Sequence, residues 1–513
     1  MTIRQIFLIL LYPVAAGAAT INPSDYLFRQ KITFTNFPIG VTLTNFPVLV
    51  KFDAGDTNLY AFMASPTGDD LRFTDATGTN LIHHEIEGWN AGGESPVWVQ
   101  VPVFTNPQCV FAVWGNPTNT LPASATNGAV WSEGFRLVQH MNDTAGAAVG
   151  DASPDQRTSD VIGTFSWQAP GRIGPALRLF GNANDRIDLG LDDNISLNGT
   201  PYTISAWFQN LQPNSQWRTL TRGNGLGHQI IVQLSAINLG MFHEVDGFRD
   251  SGADLNPPHS SWHHIAGVGT GTITRLYVDG VEVGVCDRKS NSDIRWIGNF
   301  SGGQKFAEYL DEFRVATVSR SPEWIRATWM NAVSNDVFNT MDPAEATETN
   351  RPVIATLPPS NITSNSATLN GLLGSTGNSA TTVHVFYGTT DAGTNQAAWD
   401  NQLLVNVSGL VLATNLNGLT PDTCTFYRYY ATNASGDAWA LSSESFITPA
   451  PPRVDNEPGA GNIGVGTATL NGRVISKNAG DVTLFWGNTD GGTNASSWMA
   501  NQFLGSLANA GFS

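Results

Sequence analysis

Apolar and polar residues alternate with a period of two along most of the chain. KITFTNF (Lys31–Phe37), FPVLVKFD (Phe46–Asp53), DLRFTD (Asp70–Asp75), SPVWVQVPVF (Ser95–Phe104) and CVFAVWGN (Cys109–Asn116) are bounded by Gly, Pro, Asn or Asp. That pattern predicts short strands between turns. It continues in DRIDLG (Asp185–Gly190), YTISAWFQ (Tyr202–Gln209), QIIVQL (Gln229–Leu234), HHIAGVG (His263–Gly269), TRLYVDGVEVG (Thr274–Gly284) and YLDEFRVA (Tyr309–Ala316). Asp279-Gly280 marks a hairpin turn within this series. The period changes once, in SRSPEWIRATWMNA (Ser319–Ala332). There Pro322 suits a first helical turn, Ser321 can cap it, and Ile325, Thr328 and Trp329 share one face of a short helix.

Near the end the chain repeats itself. ATLNG at Ala367–Gly371 returns at Ala468–Gly472, and YGTTDAGTNQAAW at Tyr387–Trp399 returns as WGNTDGGTNASSW at Trp486–Trp498. The spacing of roughly 100 residues is that of one small domain. The first copy continues through GLTPDTCTFYRYYATNASG (Gly418–Gly436), whereas the second stops at Ser513. The second copy is therefore expected to be incomplete, with poor stability on its own.

Composition narrows the class further. Only 13% of residues are charged and there are 52 glycines, as in an all-β, turn-rich chain. A net charge of −17 without a basic run excludes nucleic-acid binding through phosphate contacts. Residues 1–19 read as a secretory signal peptide, with Arg4, an apolar Ile6–Tyr12 and a small-residue Ala16-Gly17-Ala18 site, so the protein is expected to be secreted or on the cell surface. Cys109, Cys286 and Cys424 are more than 100 residues apart and each falls in a different domain. They read as small buried hydrophobes rather than disulfide partners or reactive thiols.

These elements divide the chain into 20–120, 130–341, a polar linker 342–350 (DPAEATETN), 351–449, and 453–513 after the stiff PAPP joint. DLRFTDATGTNLIHHEIEGWN…SPVWVQVPVF…FAVWGNP resembles the domain-of-unknown-function family numbered 2341, which implies a secreted bacterial β-sandwich. TISAWF, W-HHIAGV, LYVDGVEVG and YLDEFRVATVSRSPEWI resemble the laminin-G-like, concanavalin A-type jelly roll. That likeness implies two stacked antiparallel sheets that bind glycans or proteins, often with structural calcium. GLTPDTCTFYRYYATNASG looks like the corner and following strand of an immunoglobulin-like fibronectin type III sandwich, although Thr425 occupies the slot of the corner tyrosine. The fold class is thus all-β, a row of β-sandwiches.

Few residue sets suggest chemistry. Glu85 and Glu87 lie two apart in LIHHEIEGW and so share one strand face, with Trp89. This is compatible with a glycosidase carboxylate pair but reads as a solvated strand face. EYLDE (Glu308–Glu312) has the wrong order and spacing for the E-x-D-x-x-E strand of laminarinase-type hydrolases, so no enzyme is assigned. His259, His263 and His264 have zinc-like spacing but follow Pro257-Pro258 and enter a strand, which removes the helix that such a site needs. The acidic loop DASPDQRTSD supplies Asp151 and Asp155. By the laminin-G-like resemblance these would join Asp311 around a structural Ca²⁺. For a ligand, Trp217, Arg218, His243, Asp246, Phe248 and Arg249 supply aromatic surface and planar hydrogen-bonding groups on loops. Trp207 and Trp262 read as packing residues.

The expected function is non-catalytic recognition of extracellular polysaccharide or another surface component, by the jelly roll, with the repeats as spacers. The alternatives are a polysaccharide-active enzyme whose catalytic module follows Ser513 or that uses Glu85 and Glu87, and an adhesin-like stalk.

Overall fold

A computed structural model describes residues 19–181, 184–192, 194–213, 215–300, 303–451, 453–475, 479–508 and 510–512. The signal-type segment, apart from Ala19, lies outside the described residues. Contacts divide the chain into two compact units, Met1–Thr347 and Glu348–Ser513. Both are built almost wholly of antiparallel sheets.

The first unit begins with a sandwich. One sheet orders Asn339–Met341, Phe28–Phe34, Gln108–Trp114, Arg72–Thr74 and Leu81–Ile82, and the other Leu43–Phe52, Ser95–Phe104 and His84–Ile86. Phe28, Ile32 and Phe34 alternate into the core, as the period of two requires. Leu43–Phe52 is instead buried on both faces. Its second face is covered by the helix Pro322–Val333, where Trp324 meets Phe46 edge-on at 4.9 Å.

That helix starts as predicted, with Ser321 accepting from Trp324 N and Pro322 in the first turn. Its buried residues are Trp324, Ile325, Ala327, Asn331 and Ala332, so of the expected face only Ile325 is buried while Thr328 and Trp329 are half-buried, because the helix packs against a strand. The Asn331 side chain accepts from Leu49 N at 2.6 Å and donates to Leu49 O at 3.0 Å. The chain then returns to the first sheet. Asn339–Met341 and Glu345–Ala346 both pair with Phe28–Phe34, and Glu345 bridges Arg29 at 3.0 Å. The expected linker 342–350 is therefore partly strand, because the edge at Phe28–Phe34 offers unpaired backbone groups that its polar residues can satisfy without a core side chain.

Between these passes lies the jelly roll. Its back sheet runs Phe165–Pro170, Pro175–Leu179, Ala307–Ala316, Tyr202–Leu211, His263–Thr270, Ile273–Val278 and Val281–Cys286, with Phe135–Gln139 also on Ala307–Ala316. Asp279 and Gly280 turn the hairpin with φ +49° and +77°, the handedness a two-residue turn needs. Two four-stranded sheets face it: Thr221–Arg222, Trp296–Ile297, Arg186–Asp188 and Asp160–Ile162; and Arg218–Thr219, His228–Val232, Asn238–His243 and Gly247–Asp254. Ile187, Ile230, Met241, Phe208, Ile265 and Leu310 fill the space between.

The second unit opens with a sandwich of Val353–Ser360, Ser366–Ser375 and Val411–Asn417 against Asn401–Val405, Thr382–Gly388, Cys424–Asn433 and Gly436–Trp439, with Glu444–Ile447 also on Cys424–Asn433. The Tyr427 hydroxyl, two residues after Thr425, donates to Leu357 O. The repeats fold alike locally. Trp399 Nε1 donates to Gly393 O at 3.2 Å and Trp498 Nε1 to Gly492 O at 3.1 Å. Cys286 is fully buried, whereas Cys109 and Cys424 are only half-buried, contrary to expectation; none is in a disulfide.

Candidate functional site

The front of the jelly roll carries one outward row of aromatic and guanidinium groups. Strand pairing sets Asp188 opposite Trp296 and Trp296 opposite Arg222, then His228 opposite Phe242 and Phe242 opposite Phe248. The chain turns back between Arg222 and His228, closed by Gly223 N donating to Gly227 O, so the two registers join into one row. Their neighbours Ile187, Ile297 and Met241 point into the core, as alternation demands.

Ring contacts connect the row. Trp217 lies 5.5 Å from Phe248 and 6.1 Å from Phe242, Phe242 lies 5.5 Å from His228, and Phe300 lies 5.5 Å from Trp296. Arg222 sits 3.3 Å over the Phe300 ring, and Arg295 4.8 Å over Trp296. Asp188 orients this end by accepting from Trp296 Nε1 at 2.8 Å and Arg295 Nε at 3.0 Å. Burial would raise the Asp188 carboxyl, but hydrogen bonds from Gly190 N, Arg295 and Trp296 outweigh it and hold it low. His228 is pushed down to about 3 by burial and the Arg222 charge, so its imidazole is neutral. Trp217, Phe242, Phe248, Trp296 and Phe300 are half-buried, with His228 and Arg222 buried behind them at 7% and 8% exposed, so the rings can stack on an apolar ring face while the half-buried Arg295 hydrogen-bonds its edge.

Of the predicted ligand residues, Trp217 and Phe248 lie on this row. Arg218 does not: it is 2% exposed and its guanidinium donates to the Gln233 and Ala236 carbonyls, so it ties a loop rather than awaiting a ligand. His243, Asp246 and Arg249 form the rim. The His243 ring accepts from Asp246 N at 3.2 Å, Asp246 pairs with Arg288, and Arg249 with Asp287. Bonding to Arg288 holds the Asp246 carboxyl low. Sequence reasoning missed Arg222, His228, Phe242 and Trp296, which come from strands of two to six residues whose register is not local, and Phe300, which lies in the loop after Trp296–Ile297.

The calcium reading is corrected. Asp151 spends its oxygens on Val138 N, Ser153 N, Ser153 Oγ and Arg157 N, and Asp155 pairs with Arg136 at 2.8 Å and Arg157 at 2.7 Å. Asp311 instead accepts from Arg172 N at 2.7 Å and Ile173 N at 2.9 Å. Gly171 permits that approach, since a Cβ there would meet Asp311 Oδ2 at 2.8 Å. Among the described residues these three aspartates do not converge. The loop is a hydrogen-bonded turn, braced by two arginines. The histidines 259, 263 and 264 also separate: His259 meets Asn210, His263 meets Asp279, and His264 is buried beside Trp207.

A second cluster forms where the sequence suggested a wet strand face. Glu85 and Glu87 do share one face, but the jelly roll covers it, leaving their side chains 15% and 1% exposed. Trp131 Nε1 donates to Glu85 at 2.6 Å and Trp98 Nε1 to Glu87 at 2.7 Å. His140 lies between them, with Nδ1 2.8 Å from Glu312 and 3.6 Å from Glu87, and Nε2 3.6 Å from Glu85. Glu312 adopts φ +51° within a strand irregularity, a left-handed conformation that is costly for a non-glycine residue. This lets consecutive Asp311 and Glu312 both be buried. Arg314 pairs with Glu312 at 2.5 Å and stacks 4.3 Å from Trp98 and 4.6 Å from Trp131. Burial, then the Glu312 charge, raises Glu87 and Asp311 well above the carboxylate range. Burial opposes charging of His140 and of Glu312. The carboxylates nevertheless raise His140 well above its usual value, while His140 and Arg314 hold Glu312 at about 2.

Comparison with known proteins bears on the jelly roll. A laminin-G family model, described as the concanavalin A-like lectin/glucanase superfamily, matches residues 181–326. No curated protein matches the sequence. Among solved structures, domain 4 of AbnA, an extracellular arabinanase from Geobacillus stearothermophilus seen with arabinotriose, is 18% identical with a TM-score of 0.31. The alignment covers 37% of this chain and 96% of that one. The binding domain of Paraclostridial Mosquitocidal Protein 1 is 12% identical over 60% of this chain and 88% of its own, TM-score 0.31. Trypanosoma rangeli sialidase with sialic acid is 11% identical over 46% and 42%, TM-score 0.29. Residues 181–326, which contribute every aromatic ring of the front row, belong to a laminin-G-like domain of the concanavalin A-like superfamily.

Proposed function

We propose that this is a secreted or cell-surface recognition protein that binds extracellular carbohydrate, without transforming it, through the front row of the jelly roll. The observation that carries the reading is the Phe248–Trp217–Phe242 and Phe300–Trp296 ring surface, backed by the buried His228 and Arg222 and flanked by Arg295. Sugars present C–H faces that stack on such rings and hydroxyls that suit guanidinium and carboxylate edges. The non-catalytic part is supported by the placement of the clustered carboxylates. Glu87, Asp311 and Glu312 have side chains about 1% exposed or less, with no path for a glycosidic bond to lie between them. The fibronectin type III-like unit would act as a spacer, and the first sandwich, resembling the family numbered 2341, as a platform for the jelly roll.

The full chain is expected to be retained by at least one polysaccharide on a glycan array. Trp296→Ala should weaken retention at least about tenfold, the effect of about 1.4 kcal/mol or more that truncating a central aromatic anchor produces. No retention of the wild type, or undiminished retention of the variant, refutes the proposal.

A further inference from the structure

We propose that Glu87, His140 and Glu312 form a binding site for one divalent transition-metal ion of the zinc or manganese class, joining the first sandwich to the jelly roll. One ligand atom from each lies within 4.8 Å of the others. The three are supplied from separate places: Glu87 just after the strand His84–Ile86, His140 just after Phe135–Gln139, and Glu312 inside Ala307–Ala316. An ion there would bridge segments far apart in sequence.

Two features mark the cluster as more than a group of acids. Within the ligand set one buried polar atom is left without a partner, Glu87 Oε1, in a side chain 1% exposed. A buried polar atom left unsatisfied is destabilising, and a cation offers the missing interaction. Each ligand is also held from behind. Trp98 fixes Glu87, Arg314 fixes the far oxygen of Glu312, and Glu85 stands 3.6 Å from the far nitrogen of His140. Carboxylate–imidazole–metal relays of this kind orient the ring and raise its basicity. Trp131 in turn fixes Glu85.

The donor set selects the ion. One imidazole with carboxylates suits zinc and its first-row neighbours, whereas calcium requires six to eight oxygens. His140 Nδ1 and Glu312 Oε1 are 2.8 Å apart and would open to roughly 3.3 Å, the edge of a tetrahedron with bonds of about 2.0 Å. The ion replaces the proton that they share.

The test uses the full chain, stripped with a chelator and reloaded with Zn²⁺ or Mn²⁺ alone. One equivalent per chain should bind and raise the melting temperature, and Glu312→Gln should abolish it. Glu85→Gln, which removes no ligand, should weaken affinity 10–100-fold with an unchanged far-ultraviolet circular dichroism spectrum. Metal-edge X-ray absorption of the wild type should report one imidazole nitrogen among oxygens, a readout that does not depend on any variant folding. Uptake of Ca²⁺ but of neither probe, the absence of stoichiometric binding, or binding unaffected by both substitutions overturns the proposal.

Discussion

Glu312→Leu is expected to lower the unfolding free energy of the first unit by about 3–5 kcal/mol, the range for stranding one side of a buried ion pair. The substitution removes the acceptor of both His140 and Arg314, leaving two cationic groups against Trp98 and Trp131 with no water to solvate them. Glu87 cannot take over fully, because Trp98 already engages it and burial favours its protonated form. Asp155→Asn is the control. It breaks the pairs to Arg136 and Arg157, whose side chains are 43% and 13% exposed beside an Asp155 that is 23% exposed, and should cost about 2 kcal/mol or less. Denaturant unfolding followed by tryptophan fluorescence measures both. A Glu312→Leu loss no larger than that of Asp155→Asn would contradict the buried pairing.

Acid sensitivity should be carried in part by histidines that fold neutral. His84 and His264 are each about 1% exposed, and burial first, then the nearby charge of Arg72 or Arg314 respectively, pushes them down to about 3. Their folded value is depressed below the ordinary 6.5, so the unfolded chain binds more protons between 6.5 and about 3. The stability they contribute is present above pH 6.5 and is lost as pH falls through that window. Each is worth about 1.4 kcal/mol per pH unit, or about 2 kcal/mol by pH 5. Glu87 and Asp311, raised well above their usual values, act in the opposite sense, so the wild-type profile alone is ambiguous. The difference between variant and wild type isolates the histidine. His84→Phe, whose ring would keep the contact with Phe73, should lose about 2 kcal/mol less than wild type between pH 7 and pH 5 in urea titrations. Equal losses would mean that His84 titrates normally when folded.

Much of the fold was legible because β-structure writes its period into the chain. The strands around TISAWF, HHIAGVG and YLDEFRVA fall where alternation places them, and the Asp279-Gly280 turn and the Ser321 cap are local chemistry. What escaped was set by distant partners. DPAEATETN is polar, as a linker would be, yet part of it pairs with the edge of Phe28–Phe34. Glu85 and Glu87 alternate like a wet face, and only the layer folded over them makes that face dry. Asp311 and Glu312 should point to opposite sides of a regular strand, and an irregularity at Glu312 buries both. The calcium expectation failed because Asp151 and Asp155 are consumed within their own loop. Of the ligand row, only Trp217 and Phe248 were anticipated. Trp296 sits in a two-residue strand, too short for any period to show.

The most direct test of carbohydrate recognition by the front row is hydrogen exchange on the full chain, with and without the polysaccharide that retains it. Protection is expected in 294–300 and in 242–249, with no change in 84–87. Protection confined to the Glu348–Ser513 unit, or none in either front segment, would contradict it.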